Sequence, residues 1–402
     1  MTNIFGFIKF CLGLWTRGGR YYWAWVSFLC LLIISGVLAY SNQLEYGLGL
    51  TNMRDSISWG FYIGNFTFLV GVAAAAVMLV IPAYVYHWEP IKEVALLGEM
   101  LAVSALVMCM LFVTVDIGRP DRITHLMPFL GSPNFPRSLL AWDVLVLNVY
   151  FILNLTIVAY ILFTGYTGRP YKKAILIPLV LFSIPAAISI HTVTAFLYNG
   201  IAARPYWNAS ILAPRFLASA FCSGPAILLM LFQILRKVAG LRIKDTALAK
   251  IAELMSYAMF INLFLLGAEV FKEYYSNTEH LIYTQVLFFG VGDTKVHYFM
   301  WPALIASIVA FLLFLIPKTR NNPLTMNIGC VLIFIGVYTE KRMGLVIPGL
   351  TPDTLGEIYV YSPSLLEYRV AAGVFSVGFL VFTLLVKLAI PYMEKSHAHH
   401  AA

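Results

Sequence analysis

The stretch from Asp116 to Asp143 reads DIGRPDRITHLMPFLGSPNFPRSLLAWD, and it starts where one long apolar run ends and stops just inside the next. Between segments that otherwise read as hydrocarbon it carries Asp116, Arg119, Asp121, Arg122, His125, Arg137 and Asp143. Its prolines and glycines prevent one continuous helix. Irregular, charged backbone at a membrane boundary is tolerated where protein or water satisfies it. The stretch is therefore a folded cap on a site, a docking surface, or both.

The composition outside it fixes the class. Of 402 residues, 60% are hydrophobic and 11% charged, with mean hydropathy +0.82; a soluble domain carries about 25% charged residues. This predicts an all-α, polytopic transmembrane protein, organised as a single integral membrane domain over residues 1–402. No polar stretch is long enough to enclose a core of its own. The net charge of +8 is met by basic residues at cytoplasmic helix ends and calls for membrane lipids and no nucleic acid. Cys11, Cys30, Cys109, Cys222 and Cys330 are scattered without a CxxC. That spacing suits neither an iron–sulfur cluster nor a metal site in this chain, so they read as small buried hydrophobes.

Ten runs approach the roughly 20 residues that cross a bilayer, near 21–40, 57–86, 94–116, 140–164, 173–198, 212–236, 247–271, 297–317, 323–340 and 364–390. The first reads as a retained span, because no small-residue cleavage pattern follows it. Lys and Arg favour an arrangement with both termini cytoplasmic in a prokaryotic plasma membrane. The loop at 236–250, with Arg236, Lys237, Arg242, Lys244 and Lys250, casts the strongest vote. Gly60 and Gly64 form a GxxxG that reads as tight helix packing. His397, His399 and His400 read as part of a disordered polar tail.

An ionisable residue inside a span costs roughly 2.5–3.5 kcal/mol at its centre, so each needs a reason. Asp116, Asp143, His191, Arg215, Glu269, His297, Glu340, Glu367 and Arg369 fall towards the outer ends of runs, whereas Glu99 and Glu253 lie towards the inner ends. Solvation at an interface is the simplest account, above all for Glu340, Glu367 and Arg369. Asp143 resists it, because its own run offers no obvious local partner; a buried carboxylate needs one from another helix, or a proton. His191, beyond Pro185 in SIPAAISIHTVTAF, is placed to present an imidazole to a cavity, and Glu269 in FLLGAEVF resembles Asp143. Only His191 and His297 are placed to hold a haem together, which makes haem a poor reading. A secondary transporter suits proline-broken spans, but its site belongs near the midplane. A quinone site fits better: it needs a carboxylate or imidazole within reach of a ring oxygen, in an apolar, aromatic pocket. Asp143, His191 and Glu269 are the candidate catalytic groups, with Trp59, Tyr62, His125, Trp142 and His297 as further quinone-binding candidates. Glu99 and Glu253 are read as the inner end of a proton path or as inner-face ion pairs.

DIGRP at Asp116–Pro120, SLLAWD at Ser138–Asp143 and WGFYIGNFTF from Trp59 resemble the NrfD/PsrC family of quinone-interacting membrane subunits. Within it, the whole-chain pattern looks closest to the DsrP type of the DsrMKJOP complex. The resemblance implies two four-helix bundles, spans two to five and six to nine, flanked by spans one and ten. It implies exchangeable menaquinone as substrate, with no haem, iron–sulfur cluster or metal in this chain. A ferredoxin-like iron–sulfur subunit would dock on the outer face, beside other membrane and cytochrome subunits, in sulfate- or sulfite-linked respiration. Asp143 would meet the quinone, His191, His125 or Glu269 would serve its second oxygen or an exit path, and Arg119 would brace the loop against Asp116 or Asp121.

Overall fold

The computed structural model of the protein describes residues 4–86, 88–127, 130–241 and 243–401. His87 and Arg242 lie outside the described residues, as do the side chains of His397, His399 and His400. The described chain is helical throughout, with one isolated bridge between Arg54 and Ile57 in place of any strand.

A short helix α1 (Ile4–Trp15) precedes α2 (Arg20–Tyr46). The second apolar run begins as α3 (Phe61–Ala73), resumes at Ala75–Val80 and ends in a π turn at Ile81–Val85, where Pro82 cannot donate to the helix. Next come α4 (Glu89–Asp116), α5 (Leu139–Thr167), α6 (Lys173–Asn199), α7 (Leu212–Val238) and α8 (Asp245–Ser276). The chain ends with α9 (Leu281–Phe288), α10 (His297–Leu315), α11 (Pro323–Thr339), α12 (Val346–Leu350) and α13 (Leu365–Ala401). Ser138 caps α5 by accepting from the Ala141 amide, and Gly168 closes it in the left-handed region at φ 68°.

Among the described residues nine helices are long and apolar enough to cross a membrane. The expected run at 323–340 is instead a 17-residue helix, α11, prolonged by a π turn at Glu340–Gly344 that runs on towards α12. The C-terminal helix continues to Ala401 where the sequence suggested an unstructured tail. The short helices α1, α9 and α12 fall below the span-length pattern, which is blind to them.

Helices α3 to α6 pack as one group and α7, α8, α10 and α11 as a second, while α2 and α13 pair against the α4 side of the first. In the span Phe61–Tyr84, which α3 opens, and in α4 the most apolar 18 residues are 83% buried, against 17% in α2, so the former are the axis and the latter is peripheral. The groups meet where α3 crosses α7: a Cβ on Gly71 would touch Ala220 at 3.5 Å, and one on Gly224 would press on the Ala75 backbone at 3.1 Å. Gly64 likewise abuts Arg342, whose Cα would lie 2.9 Å from an added Cβ. The GxxxG thus serves packing within this chain. We call the end carrying the Asp116–Asp143 stretch the loop end, and the end carrying the 236–250 loop the basic end.

Candidate functional site

At the loop end of the first group, Asp143 is fully buried on the first turn and a half of α5. Its Oδ1 accepts a 2.7 Å hydrogen bond from Thr194 Oγ1 on α6, the partner its own helix lacks; its Oδ2 has none among the described residues. One turn further along α6, the Tyr198 hydroxyl contacts Thr67 of α3 at 2.6 Å. Thr67 spends its own proton on the Ile63 carbonyl, so Tyr198 is the donor. Asp116 ends α4 with Oδ1 buried and unpartnered among the described residues. Beside it the Tyr62 hydroxyl donates to Gln43 Oε1 at 2.9 Å, and Gln43 Nε2 donates to the Val115 carbonyl at 2.7 Å.

Glu367 overturns its reading as a solvated interfacial group. It is fully buried and accepts from Tyr361 Oη at 2.5 Å, from the Ser364 amide at 2.8 Å and from the Asn52 amide at 3.1 Å. Tyr361 in turn accepts from the Phe61 amide at 2.7 Å, tying the start of α3 to the segment before α13. Burial, and then the Glu367 charge, push the Tyr361 phenol up from its ordinary range.

A cleft of about 530 Å³ opens beside this cluster, lined by Tyr40, Gln43 and Leu48 on one wall and Ile117, Gly118, Arg119 and Asp121 on the other. Its volume lies within the range of small-molecule sites. Arg119 pairs with Asp121 and not Asp116, through bonds of 3.0 and 2.9 Å; this holds the exposed Asp121 carboxyl below the usual range. Arg119 and Asp121, expected as loop braces, thus also form a wall of the cleft. Tyr40 and Gln43, polar groups near the end of the first run, are the signal that sequence reasoning missed.

The other sequence candidates scatter. Glu269 belongs to the second group, where Arg215 bridges it to Glu340; the Arg215–Glu340 bond is 2.7 Å. Lys341 follows at 3.8 Å from Glu340 and stacks over the Phe216 ring at 4.1 Å. Two cations and two anions thus balance in a site whose four side chains are 6–13% exposed. Glu340, expected to be solvated, is buried here because the π turn folds it back under α7. Arg369 remains exposed, as expected, and bonds to Ser35 Oγ at 3.2 Å.

His191 is buried at the junction of the two groups. Its Nδ1 lies 2.9 Å from the Ala187 carbonyl, which makes Nδ1 the protonated nitrogen; Nε2 has no partner among the described residues. Trp59 packs against Tyr198 and Trp207, with ring centres 5.1 and 5.2 Å apart, edge-on to the tyrosine. Trp142 turns away from Asp143, donates to the Pro136 carbonyl at 2.9 Å and packs on Phe135. His125 lies at the surface in the 3₁₀ helix Pro120–Leu126. His297 starts α10 against Gly290 and the Tyr298 ring. Towards the basic end, Glu99 is buried with both oxygens unpartnered among the described residues, near Tyr84 and Tyr150. Glu253 is paired with Lys250 at 3.2 Å and accepts from Tyr257.

Nine long apolar helices packed in two groups, with charged loop segments at their ends, define a polytopic helical membrane protein. More particularly, the chain belongs to the NrfD family: the family model described as "Polysulphide reductase, NrfD" matches residues 49–352. The chain is similar to a putative dimethyl sulfoxide reductase membrane subunit of Halobacterium salinarum, at 26% identity across 89% of this chain and 88% of that one. A selenate reductase subunit of Mesobacillus selenatarsenatis is 24% identical, with 92% and 95% covered. The Hdr-like menaquinol oxidoreductase integral membrane subunit of Archaeoglobus fulgidus is 22% identical, with 90% and 92% covered.

Proposed function

We propose that this protein is the quinone-reactive membrane subunit of a respiratory reductase complex, exchanging electrons between the menaquinone pool and an iron–sulfur partner subunit. The observation that carries the reading is the pair of carboxyl groups at the loop end, Asp116 and Asp143, each with an unpartnered buried oxygen among the described residues, together with a cleft of about 530 Å³ lined by Ile117, the residue after Asp116. Menaquinol oxidation releases two protons with its two electrons, and a carboxylate with a free lone pair at the ring is the group that takes them. Asp143 is the first acceptor in this reading, with Tyr198 and Asp116 around it. The relatives support it by name, since they are subunits of reductases and one is named a menaquinol oxidoreductase.

In this reading the loop end is the outer face of a prokaryotic plasma membrane, the basic end and both termini are cytoplasmic, and residues 1–402 form one membrane unit. The iron–sulfur partner, ferredoxin-like in chemistry, sits on the loop end over the Asp116–Asp143 stretch, within electron-transfer reach of the cleft. Other membrane and cytochrome subunits complete the complex. The narrower DsrP-like assignment to sulfate or sulfite respiration rests on whole-chain pattern. Two of the relatives are named for dimethyl sulfoxide and selenate reduction, so a sulfoxide or oxyanion acceptor accounts for more of the similarity.

Quenching of a fluorescent quinol analogue by membranes containing the partner subunits tests the site. Saturable binding that weakens at least tenfold in Asp143→Asn, about 1.4 kcal/mol, supports it. Saturable binding unchanged in that variant moves the ring away from Asp143. Absence of binding in the wild type sinks the quinone reading and brings a secondary transporter forward.

A further inference from the structure

An apolar groove of about 830 Å³ opens at the seam between the two helix groups. Its lining comes from Pro82 in the π turn that ends the second span, from Ala218 of α7, and from a stripe of α8 that runs from Lys250 through Ala258 to Leu265. Ala218 and Ala258 carry nothing beyond Cβ to fill it. Along α8 the groove extends about 22 Å at a rise of 1.5 Å per residue. That is roughly half the 40–45 Å of a whole bilayer, the depth of one leaflet. Spread over that length, the volume gives a mean cross-section of about 40 Å², against roughly 80–110 Å² for a helix 10–12 Å across. The groove therefore admits flexible hydrocarbon and excludes a partner's transmembrane helix.

Apart from Tyr257, whose hydroxyl donates to Glu253 at 3.1 Å, the polar side chains of the lining stand at the basic end. Lys250 Nζ gives one proton to Glu253 at 3.2 Å and, with its side chain 43% exposed, keeps two for another acceptor. The Tyr86 hydroxyl and the Trp88 indole N–H add two donors that are not spent on other described residues. No carboxylate lines the groove among the described residues. The surrounding segment is basic too: residues 236–253 hold Arg236, Lys237, Arg242, Lys244 and Lys250 against Asp245 and Glu253. We propose that the groove binds one anionic phospholipid of the basic-end leaflet, with its acyl chains along α7 and α8 and its phosphate on Lys250, Tyr86 and Trp88. Basic pockets between helices at a membrane face take anionic headgroups, and Trp and Tyr sit at headgroup level. A zwitterionic lipid would fill the apolar trough equally but bring an ammonium to a cationic rim. Because the lipid touches both helix groups, it holds them together and stabilises the fold according to its occupancy. None of the lining residues belongs to the cleft at the loop end, so this site is separate from the proposed quinone site.

The test titrates the full-length chain in detergent with dioleoyl phosphatidylglycerol or dioleoyl phosphatidylcholine and counts bound lipids by native mass spectrometry. The wild type is expected to hold one phosphatidylglycerol at least tenfold more tightly than phosphatidylcholine. Lys250→Gln should lose that preference with lipid-free unfolding unchanged, since a half-exposed pair contributes little. Ala258→Trp places an indole in the trough and should weaken binding of both lipids at least tenfold. Equal affinity of the wild type for the two lipids, a preference that survives Lys250→Gln, or unchanged binding in a folded Ala258→Trp overturns the proposal. A cryo-electron map of the wild-type complex in nanodiscs of both lipids reads the groove without mutation. Two-chain density with its head at Lys250 supports the lipid, whereas a partner helix, a quinone tail or an unfilled groove overturns it.

Discussion

Replacing Arg215 with methionine removes one cation from a buried set of four charges. Arg215 is 6% exposed at its side chain, Glu340 11% and Glu269 13%, so water screens little of the loss. The native set is neutral, with Arg215 and Lys341 against Glu269 and Glu340. In Arg215→Met two carboxylates share one lysine. Breaking a buried pair by removing one partner costs about 3–5 kcal/mol. With an unfolding entropy of about 2.1 cal/mol/K per residue, a unit of 402 residues loses roughly 1.2 °C of Tm per kcal/mol, so a fall of about 4–6 °C is expected for detergent-solubilised protein. The double variant Arg215→Met with Glu340→Gln restores neutrality, leaving Lys341 against Glu269, and is expected to recover at least half of the loss. Such non-additivity marks directly coupled residues. The assay is thermal unfolding by intrinsic tryptophan fluorescence for the wild type, both single variants and the double. An Arg215→Met variant within about 1 kcal/mol of wild type, or a double no more stable than Arg215→Met alone, would refute the reasoning.

Other sites give sharper or weaker expectations. Tyr361→Phe deletes the donor to buried Glu367 and the acceptor for the Phe61 amide. It should cost about 1.5–3 kcal/mol, the worth of a hydrogen bond to a charged group, measurable as reduced resistance to denaturant. Gly64→Leu forces a side chain onto the Arg342 backbone and is expected to abolish accumulation of folded protein in membranes, whereas normal yield would contradict the packing described. Arg119→Ala breaks a pair at the protein surface; thermal unfolding should not register it, since exposed pairs contribute little. Gly118→Trp fills the cleft beside Gln43 and should weaken quinol-analogue binding at least tenfold with unfolding unchanged.

The helices were legible because about 20 apolar residues in a row leave the backbone few alternatives in a bilayer. Asp143 was legible for a related reason: an ion in hydrocarbon with no neighbour on its own helix demands a partner elsewhere, and Thr194 supplies it. The charge cluster was not legible. Arg215, Glu269, Glu340 and Lys341 come from three separate segments, and Glu340 looks like the end of a span until the π turn folds it inward. Glu367 is hidden in a similar way, since its donors Asn52 and Tyr361 lie in loops that carry no periodic signal. The cleft needs the end of α2 beside Gly118, a contact that neither segment announces alone. Local sequence sets the length of a helix, while the partner of a buried charge is a property of tertiary packing.

The central claim is electron exchange with menaquinone through this chain. It is tested most directly by adding a reduced menaquinone analogue anaerobically to proteoliposomes containing the complex and following the partner subunit's iron–sulfur absorbance. Reduction that requires this chain and slows at least tenfold in Asp143→Asn is the predicted result. Reduction at the same rate without this chain, or none with the complete complex at a driving force that favours it, would contradict the account.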